Sequence, residues 1–367
     1  MDSLARLPIS VRSNWVRVRR TTGRATDAPR EEMAMKGGLL FVAAVSGAMT
    51  LSLHAQAPAP VPNVTPESLV KAAKRAAGLD YAGAFLRICV APDNLEGAAG
   101  RGAAPPAART VPDRALWYAK PYKVFDNLYF VGTRIHSSWA LTTNDGIVLI
   151  DTLFDYAVEP EIVEGLTTLG LDPRSIKYVL ISHAHGDHDQ GAALLQSRYR
   201  AKVVMGAADW DSTLQRPAST PGGVPRRDVV VGTEGTRITL GDTTVDVIAT
   251  PGHTPGTLSY VFPVRDGGRS VVVAYSGGTA FNFPRRAENF VIYRDSQRKM
   301  AKAAGAASAT VVMSNHTEFD RAYDRVRIAQ LPRTVGEKHP YETDAATVLR
   351  YFDIGADCAE AQRLSMQ

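Results

Sequence analysis

The chain has 367 residues, 45% of them hydrophobic, and a formal net charge of +5. That length holds one large α/β domain or two to three average ones, and the apolar content suits a soluble globular protein with a full core. The first 57 residues hold eight basic and four acidic side chains. The rest is balanced at 34 basic against 33 acidic. The charge therefore belongs to the leader and is no evidence for nucleic-acid binding, and the near-neutral remainder shows no basic, aromatic-interleaved stretch.

Residues 1–57 read as a leader with a signal peptide. Lys36 precedes an apolar run, Leu39–Leu53, and the small residues Ala55-Gln-Ala57 offer a cleavage site. The run is about 15 residues, short of the ~20 that span a bilayer, so a cleaved signal is expected rather than a membrane anchor. The arginine-rich stretch before Met33 has no pattern, and Met33 or Met35 is a more natural start. The expected product is exported, to the periplasm or beyond. Export bears on the two cysteines, Cys89 and Cys358. An oxidising compartment lets them form a disulfide; two separate buried thiols are the alternative.

Residues 58–114 read as an N-terminal helical extension and linker. Thr65-Pro66-Glu67 opens a helix with a capping hydroxyl and a first-turn proline. A second apolar patch, Tyr81–Val90, carries Cys89. The Gly, Ala, Pro and Arg residues of 97–110 have no periodicity and read as a linker. The catalytic domain is expected over 115–367. Tyr122–Val131 and Ser138–Thr143 read as strands, and Asn144-Asp-Gly146 turns into strand Ile147–Ile150. Glu159–Leu169 is amphipathic.

Strand Tyr178–Ile181 then delivers Ser-His-Ala-His-Gly-Asp-His-Asp189. Three of the chain's eight histidines fall within six positions there. A histidine-rich surface turn would be the bland reading. Neutral imidazoles and a carboxylate are the ligands that zinc takes. His183 and His185 are two apart and share a face of an extended segment. Gly186 lets the chain turn, so Asp187 and His188 aim at a neighbouring point, and one segment serves two metal ions.

Helix Gly191–Arg198 and strand Lys202–Met205 follow, then strands Asp228–Val231, Thr236–Leu240 and Thr244–Ala249. Thr250-Pro-Gly-His-Thr-Pro-Gly256 is a rigid turn that holds His253 in its middle. Strands Leu258–Pro263 and Ser270–Tyr275 lead to the loop Ser276–Asn282. A helix about Ser296–Gly305 precedes strand Ala309–Met313, which ends at His316. Helices Arg321–Leu331 and Asp344–Arg363 close the chain, the second carrying Cys358.

His183-Ala-His-Gly-Asp-His188, then His253 within Thr-Pro-Gly-His-Thr-Pro-Gly, then His316 after a strand, resembles the metallo-β-lactamase superfamily. The resemblance implies an α/β fold, a four-layer αββα sandwich with two metal ions at one edge. It implies that His183, His185 and His253 bind a first zinc and that Asp187, His188 and His316 bind a second. Most superfamily hydrolases bridge the two with a further aspartate. Here that place reads Ala274-Tyr-Ser-Gly-Gly-Thr279, with no acid. Glyoxalase II-like thioesterases, lactonases and phosphodiesterases normally use that carboxylate. The site is most similar to the third subclass of class B β-lactamases, in which hydroxyls of this loop hold the substrate carboxylate, a role that falls here to Ser276 and Thr279.

The expected chemistry is hydrolysis of a β-lactam amide by a metal-bridging hydroxide that Asp187 orients, because a metal lowers the pKa of bound water from ~15.7 to about 7. A small lactone, ester or amide is the alternative substrate. Asp151 reads as a site-supporting residue or a strand-end acid. His136 and Trp139 read as an ordinary loop residue and an ordinary core residue rather than as pocket rim.

Overall fold

Two β-sheets stack face to face, and helices cover both outer faces. The computed structural model describes residues 64–90 and 110–367. The leader and the linker read above lie outside them.

The first sheet runs in chain order: β1 (Tyr122–Phe125), β2 (Leu128–Phe130), β3 (Trp139–Thr143), β4 (Gly146–Ile150), β5 (Ile176–Leu180), β6 (Lys202–Gly206) and β7 (Val229–Val231). β1 to β4 form an antiparallel meander. β4 to β7 are parallel, each crossover running over the outer face. The second sheet holds β8 (Thr236–Leu240), β9 (Thr243–Ala249), β10 (Leu258–Asp266), β11 (Arg269–Ser276) and β12 (Val311–Ser314), in the order β12-β11-β10-β9-β8. It is antiparallel except for β11 against β12.

Residue alternation builds the layers, because successive side chains of a strand point to opposite faces. Trp139, Leu141, Val148 and Ile150 face Tyr260, Phe262, Val271 and Val273 between the sheets. Their neighbours Ala140, Leu149, Val179 and Val203 pack outward on Val158, Ile162, Leu166 and Trp210. On the other side Val261, Ala274 and Val312 meet Phe85, Met300, Val348 and Phe352 from the outer helices. The fold is thus an αββα sandwich. At about 1.5–3 kcal/mol per buried aliphatic or aromatic side chain, these layers outweigh helix propensity.

Helix Pro66–Ala77 starts at the Thr65 cap, whose hydroxyl accepts the Ser68 N–H. It packs with helix Ala82–Ile88 against helix Ala345–Leu364. Cys89 and Cys358 join these helices as a disulfide, with Cα atoms 5.3 Å apart.

Three elements differ from expectation. Tyr122–Val131 is a hairpin rather than one strand, because Asp126-Asn127 turns it and Phe125 then pairs with Leu128. Helix Ala287–Ala306 begins nine residues before the expected Ser296, because Phe290 and Tyr293, three apart, bury the same face. The segment after β4 contains a widened π-helical turn, Val158–Val163, around Pro160, which has no N–H to give the preceding turn.

The C-terminal ends of β5, β9, β11 and β12 emerge at one edge of the sandwich. There the sheets are tied together: Leu258 N–H donates to Ser182 O at 2.7 Å. The histidine loop, the Pro-Gly-His turn, the Gly-Gly loop and His316 all leave the sheets at this edge.

Candidate metal centre

His183, His185 and His253 bring three ring nitrogens within 4.8 Å of one another. Backbone carbonyls orient two of the rings. His183 Nδ1 lies 2.9 Å from Gly277 O, and His253 Nδ1 lies 2.7 Å from Ala280 O. A carbonyl only accepts, so both Nδ1 atoms carry the proton and both Nε2 lone pairs are left for a cation. His253 Nε2 stands 3.2 Å from His185 Nδ1.

A second cluster adjoins the first. Asp187 Oδ2 lies 3.2 Å from His188 Nε2 and 3.3 Å from His316 Nε2, and the two nitrogens are 3.1 Å apart. A tetrahedral ion with ligand bonds of about 2.0–2.1 Å has edges of about 3.3–3.4 Å. Donors at both clusters already stand at nearly that spacing, and imidazole with carboxylate is a donor set that zinc accepts. The residues fit a divalent metal at each cluster.

The electrostatics agree. Burial pushes His183 well below the ordinary imidazole value, His185 to about 4 and His253 to about 3, so all three are neutral ligands at neutral pH. Burial alone would also lower His188. Asp187 and Asp151, facing its two nitrogens, reverse that and raise it to about 10. Burial would raise Asp187, but His188 and His316 hold it far below the usual carboxylate range. The second cluster thus stores a proton that a cation must displace.

Buried acids fix the loops. Asp151, fully buried, accepts the Ser182 N–H at 2.7 Å, the Ser182 hydroxyl at 2.8 Å, His188 Nδ1–H at 3.0 Å and the Tyr275 hydroxyl at 3.2 Å. It locks the His188 tautomer and so takes the site-supporting place. Asp209, 1% exposed, accepts from Ala184 N, Thr254 Oγ1 and Gly256 N, binding the first histidine loop to the Pro-Gly-His turn. Arg216 reaches the same loop, pairing with Asp189 at 2.6 Å and with Ala184 O at 2.6 Å. Asn315 donates to Gly277 O at 2.7 Å, beside His183.

The Gly277-Gly278 pair is closely packed. A Cβ on Gly277 would lie 1.7 Å from Leu258 O, and one on Gly278 would lie 2.6 Å from His253 Cβ. A side chain at Gly277 would have to displace the Leu258 backbone, and one at Gly278 would press on the His253 and Thr257 side chains. Neither donor cluster contains a carboxylate other than Asp187, among the described residues.

Residues 131–303 match the model of the metallo-beta-lactamase superfamily. The chain carries a metallo-beta-lactamase superfamily domain. It is similar in fold to BJP-1, a subclass B3 metallo-beta-lactamase of Bradyrhizobium japonicum, at 24% identity and a TM-score of 0.53, over 68% of this chain and 97% of that one. It is likewise similar to the FEZ-1 metallo-beta-lactamase of Legionella gormanii, at 22% identity and a TM-score of 0.57, over 68% of this chain and 98% of that one. A curated relative, the hydroxyacylglutathione hydrolase of Rhodopseudomonas palustris (strain BisA53), is 31% identical over 123 residues. That match spans 34% of this chain and 41% of the relative, so less than half of its length is shared. The described residues of this chain include two groups of histidine and aspartate side chains that could hold a metal ion. Among the described residues no helix is long and apolar enough to cross a membrane.

The metallo-beta-lactamase domain opens its metal edge into a pocket of about 330 Å³. Phe281 and Phe319 supply apolar wall, and Asn282 supplies a polar group, its amide 3.5 Å from His185 Nε2. Thr279 is on the lining. Its side chain is only 3% exposed, however, and that of Ser276 2%, and the two hydroxyls meet at 3.2 Å in a buried cluster where Thr279 also reaches Ser314 and Tyr351, so neither takes the substrate-facing place expected of it. Trp139 is a core residue between the sheets. His136 is not the ordinary loop residue expected of it: its Nε2 lies 3.5 Å from Asp187 Oδ2.

Proposed function

We propose that the protein is an exported hydrolase with two zinc ions that opens the amide bond of β-lactams. The observation that carries this reading is the cluster of His183, His185 and His253 next to that of Asp187, His188 and His316, beside a closely packed Gly-Gly turn that holds no bridging carboxylate. His183, His185 and His253 hold the first ion, and Asp187, His188 and His316 hold the second. When bound, the ions supply Lewis acidity and an acidified water for attack at neutral pH. Gly277 O keeps His183 and Ala280 O keeps His253 in the binding tautomer, and Asp151 does so for His188. Asp187 holds its charge at the junction of the clusters and orients the attacking water. Asn282 orients the substrate's polar groups, and Phe281 and Phe319 exclude bulk water around the ring. The apolar run of the leader supports export of the chain.

A second reading, hydrolysis of a small lactone, ester or thioester, draws on the likeness to hydroxyacylglutathione hydrolases. The missing carboxylate weighs against it. A substrate panel separates the two. The purified zinc-loaded protein is given a carbapenem, a cephalosporin, a simple lactone and an acylglutathione, and kcat/KM is compared. Preference for the β-lactams by tenfold or more is expected. Faster turnover of the lactone or acylglutathione would transfer the assignment to the second reading.

A further inference from the structure

His136 stands outside the six proposed ligands, yet the fold carries it to the second cluster. Its Nε2, Asp187 and His316 have donor atoms within 4.8 Å of one another. The placement comes from backbone pairing. His136 and His316 form an isolated antiparallel bridge. Ser137 N–H donates to Asn315 O at 2.8 Å, and Thr317 N–H donates to Ile135 O at 2.8 Å. Residues opposite one another in such a bridge send their side chains to the same face. The two imidazoles accordingly stand with ring centroids 5.0 Å apart. The turn that carries His136 is closed by Thr133, whose hydroxyl accepts the His136 N–H at 2.8 Å and the Ile135 N–H at 3.1 Å. None of these bonds uses the imidazole. The ring packs edge-on against Phe154 and points Nε2 at the carboxylate that joins the cluster.

We propose that His136 is a fourth protein donor to the second metal ion, alongside Asp187, His188 and His316. The inference rests on the assignment of those three residues to a second ion. It changes what that ion can do. A tetrahedral ion with four protein donors has no position left for substrate, whereas three imidazoles leave one open. Substrate activation then falls to the ion held by His183, His185 and His253, and the second ion is held tightly.

The test uses the full chain loaded with Co(II) and compares His136→Phe, His136→Ala and His316→Ala with the parent. Phenylalanine keeps the ring contact with Phe154 and removes both nitrogens. Only imidazoles bonded to Co(II) give strongly shifted, solvent-exchangeable N–H signals in proton NMR. Both His136 variants are expected to lose one such signal and to bind the second ion at least tenfold more weakly in chelator competition, with the first ion unchanged. A full set of shifted signals in a folded His136→Phe protein would overturn the proposal, even with weakened affinity, because it would leave His136 as a mere support of Asp187. If His316→Ala also retains both ions, the second-site assignment itself falls, and the proposal with it. Far-UV circular dichroism of the metal-free variants separates lost ligation from lost folding, and the alanine variant gives the same readout if phenylalanine does not fit.

Discussion

Replacing Asp151 with asparagine tests how the fold sets up the second ion. The carboxylate is fully buried and accepts four hydrogen bonds. In Asp151→Asn the amide oxygen keeps the Oδ1 place, where it accepts the Ser182 N–H. The NH₂ then takes the Oδ2 place, facing the Ser182 hydroxyl, the Tyr275 hydroxyl and His188 Nδ1. Both hydroxyls can rotate to accept. His188 Nδ1 can accept only by surrendering its proton, and the neutral ring then carries it on Nε2. That nitrogen faces Asp187 and His316 at 3.2 and 3.1 Å, so a metal donor is lost. Loss of such a supporting partner costs about 10–100-fold in metal affinity, which is about 1.4–2.8 kcal/mol. The metal-free variant also loses charge-assisted bonds worth about 1.5–3 kcal/mol each, and a few kcal/mol of stability go with them. Stepwise zinc affinity is measured by competition with a chromogenic chelator, and stability by urea unfolding of metal-free protein. The second binding step should weaken and the first should hold. A folded Asp151→Asn protein with both steps unchanged would refute the tautomer argument.

Three further outcomes follow from the same geometry. His188 is raised to about 10 against an ordinary 6.5, so its charged form stabilises the metal-free fold fully below about 6.5, and that contribution is lost as pH rises toward 10. A metal ion must displace this proton, so affinity for the second ion should climb by up to about tenfold per pH unit below about 10, read by calorimetry in buffers of different ionisation enthalpy. Burial raises Glu161 to about 8, only partly offset by the Ala119 N–H it accepts at 2.9 Å. The folded state keeps this proton longer than the unfolded chain, so stability falls from about pH 4.5 to 8, and Glu161→Gln should flatten that decline by up to a few kcal/mol in urea titrations at several pH values. The disulfide closes a loop with a sequence separation of 269. Cys89→Ser with Cys358→Ser should cost about 2–5 kcal/mol in the same assay while leaving zinc content unchanged.

The parts of the site that are legible in the chain are those carried by contiguous residues. His183, His185, Asp187 and His188 sit in one loop, and His253 sits in a turn fixed by two prolines and two glycines. Their chemistry and their strand-end position are both visible locally. Cys89 and Cys358 lie far apart in the chain, and only their number and the expected export suggested pairing. Asp209 and His136 could not be read this way. Asp209 gains its role by reaching Ala184 and Gly256 from a separate helix, and His136 by bridging to His316 across nearly half the chain. Neither has a neighbour in sequence that signals it. The hairpin at Asp126-Asn127 did leave a signal, since both residues favour turns, but apolar alternation on either side reads as a continuous strand. Ser276 and Thr279 show the converse: hydroxyls in the expected loop bond to each other, and that of Thr279 to Ser314 and Tyr351, instead of opening to the pocket.

The central claim is a two-metal centre built from these two clusters. It is tested most directly by anomalous X-ray diffraction at the zinc edge from crystals of the zinc-loaded protein. Two peaks are expected, one among His183, His185 and His253 and one among Asp187, His188 and His316. A single peak, or a second peak away from Asp187, would contradict it.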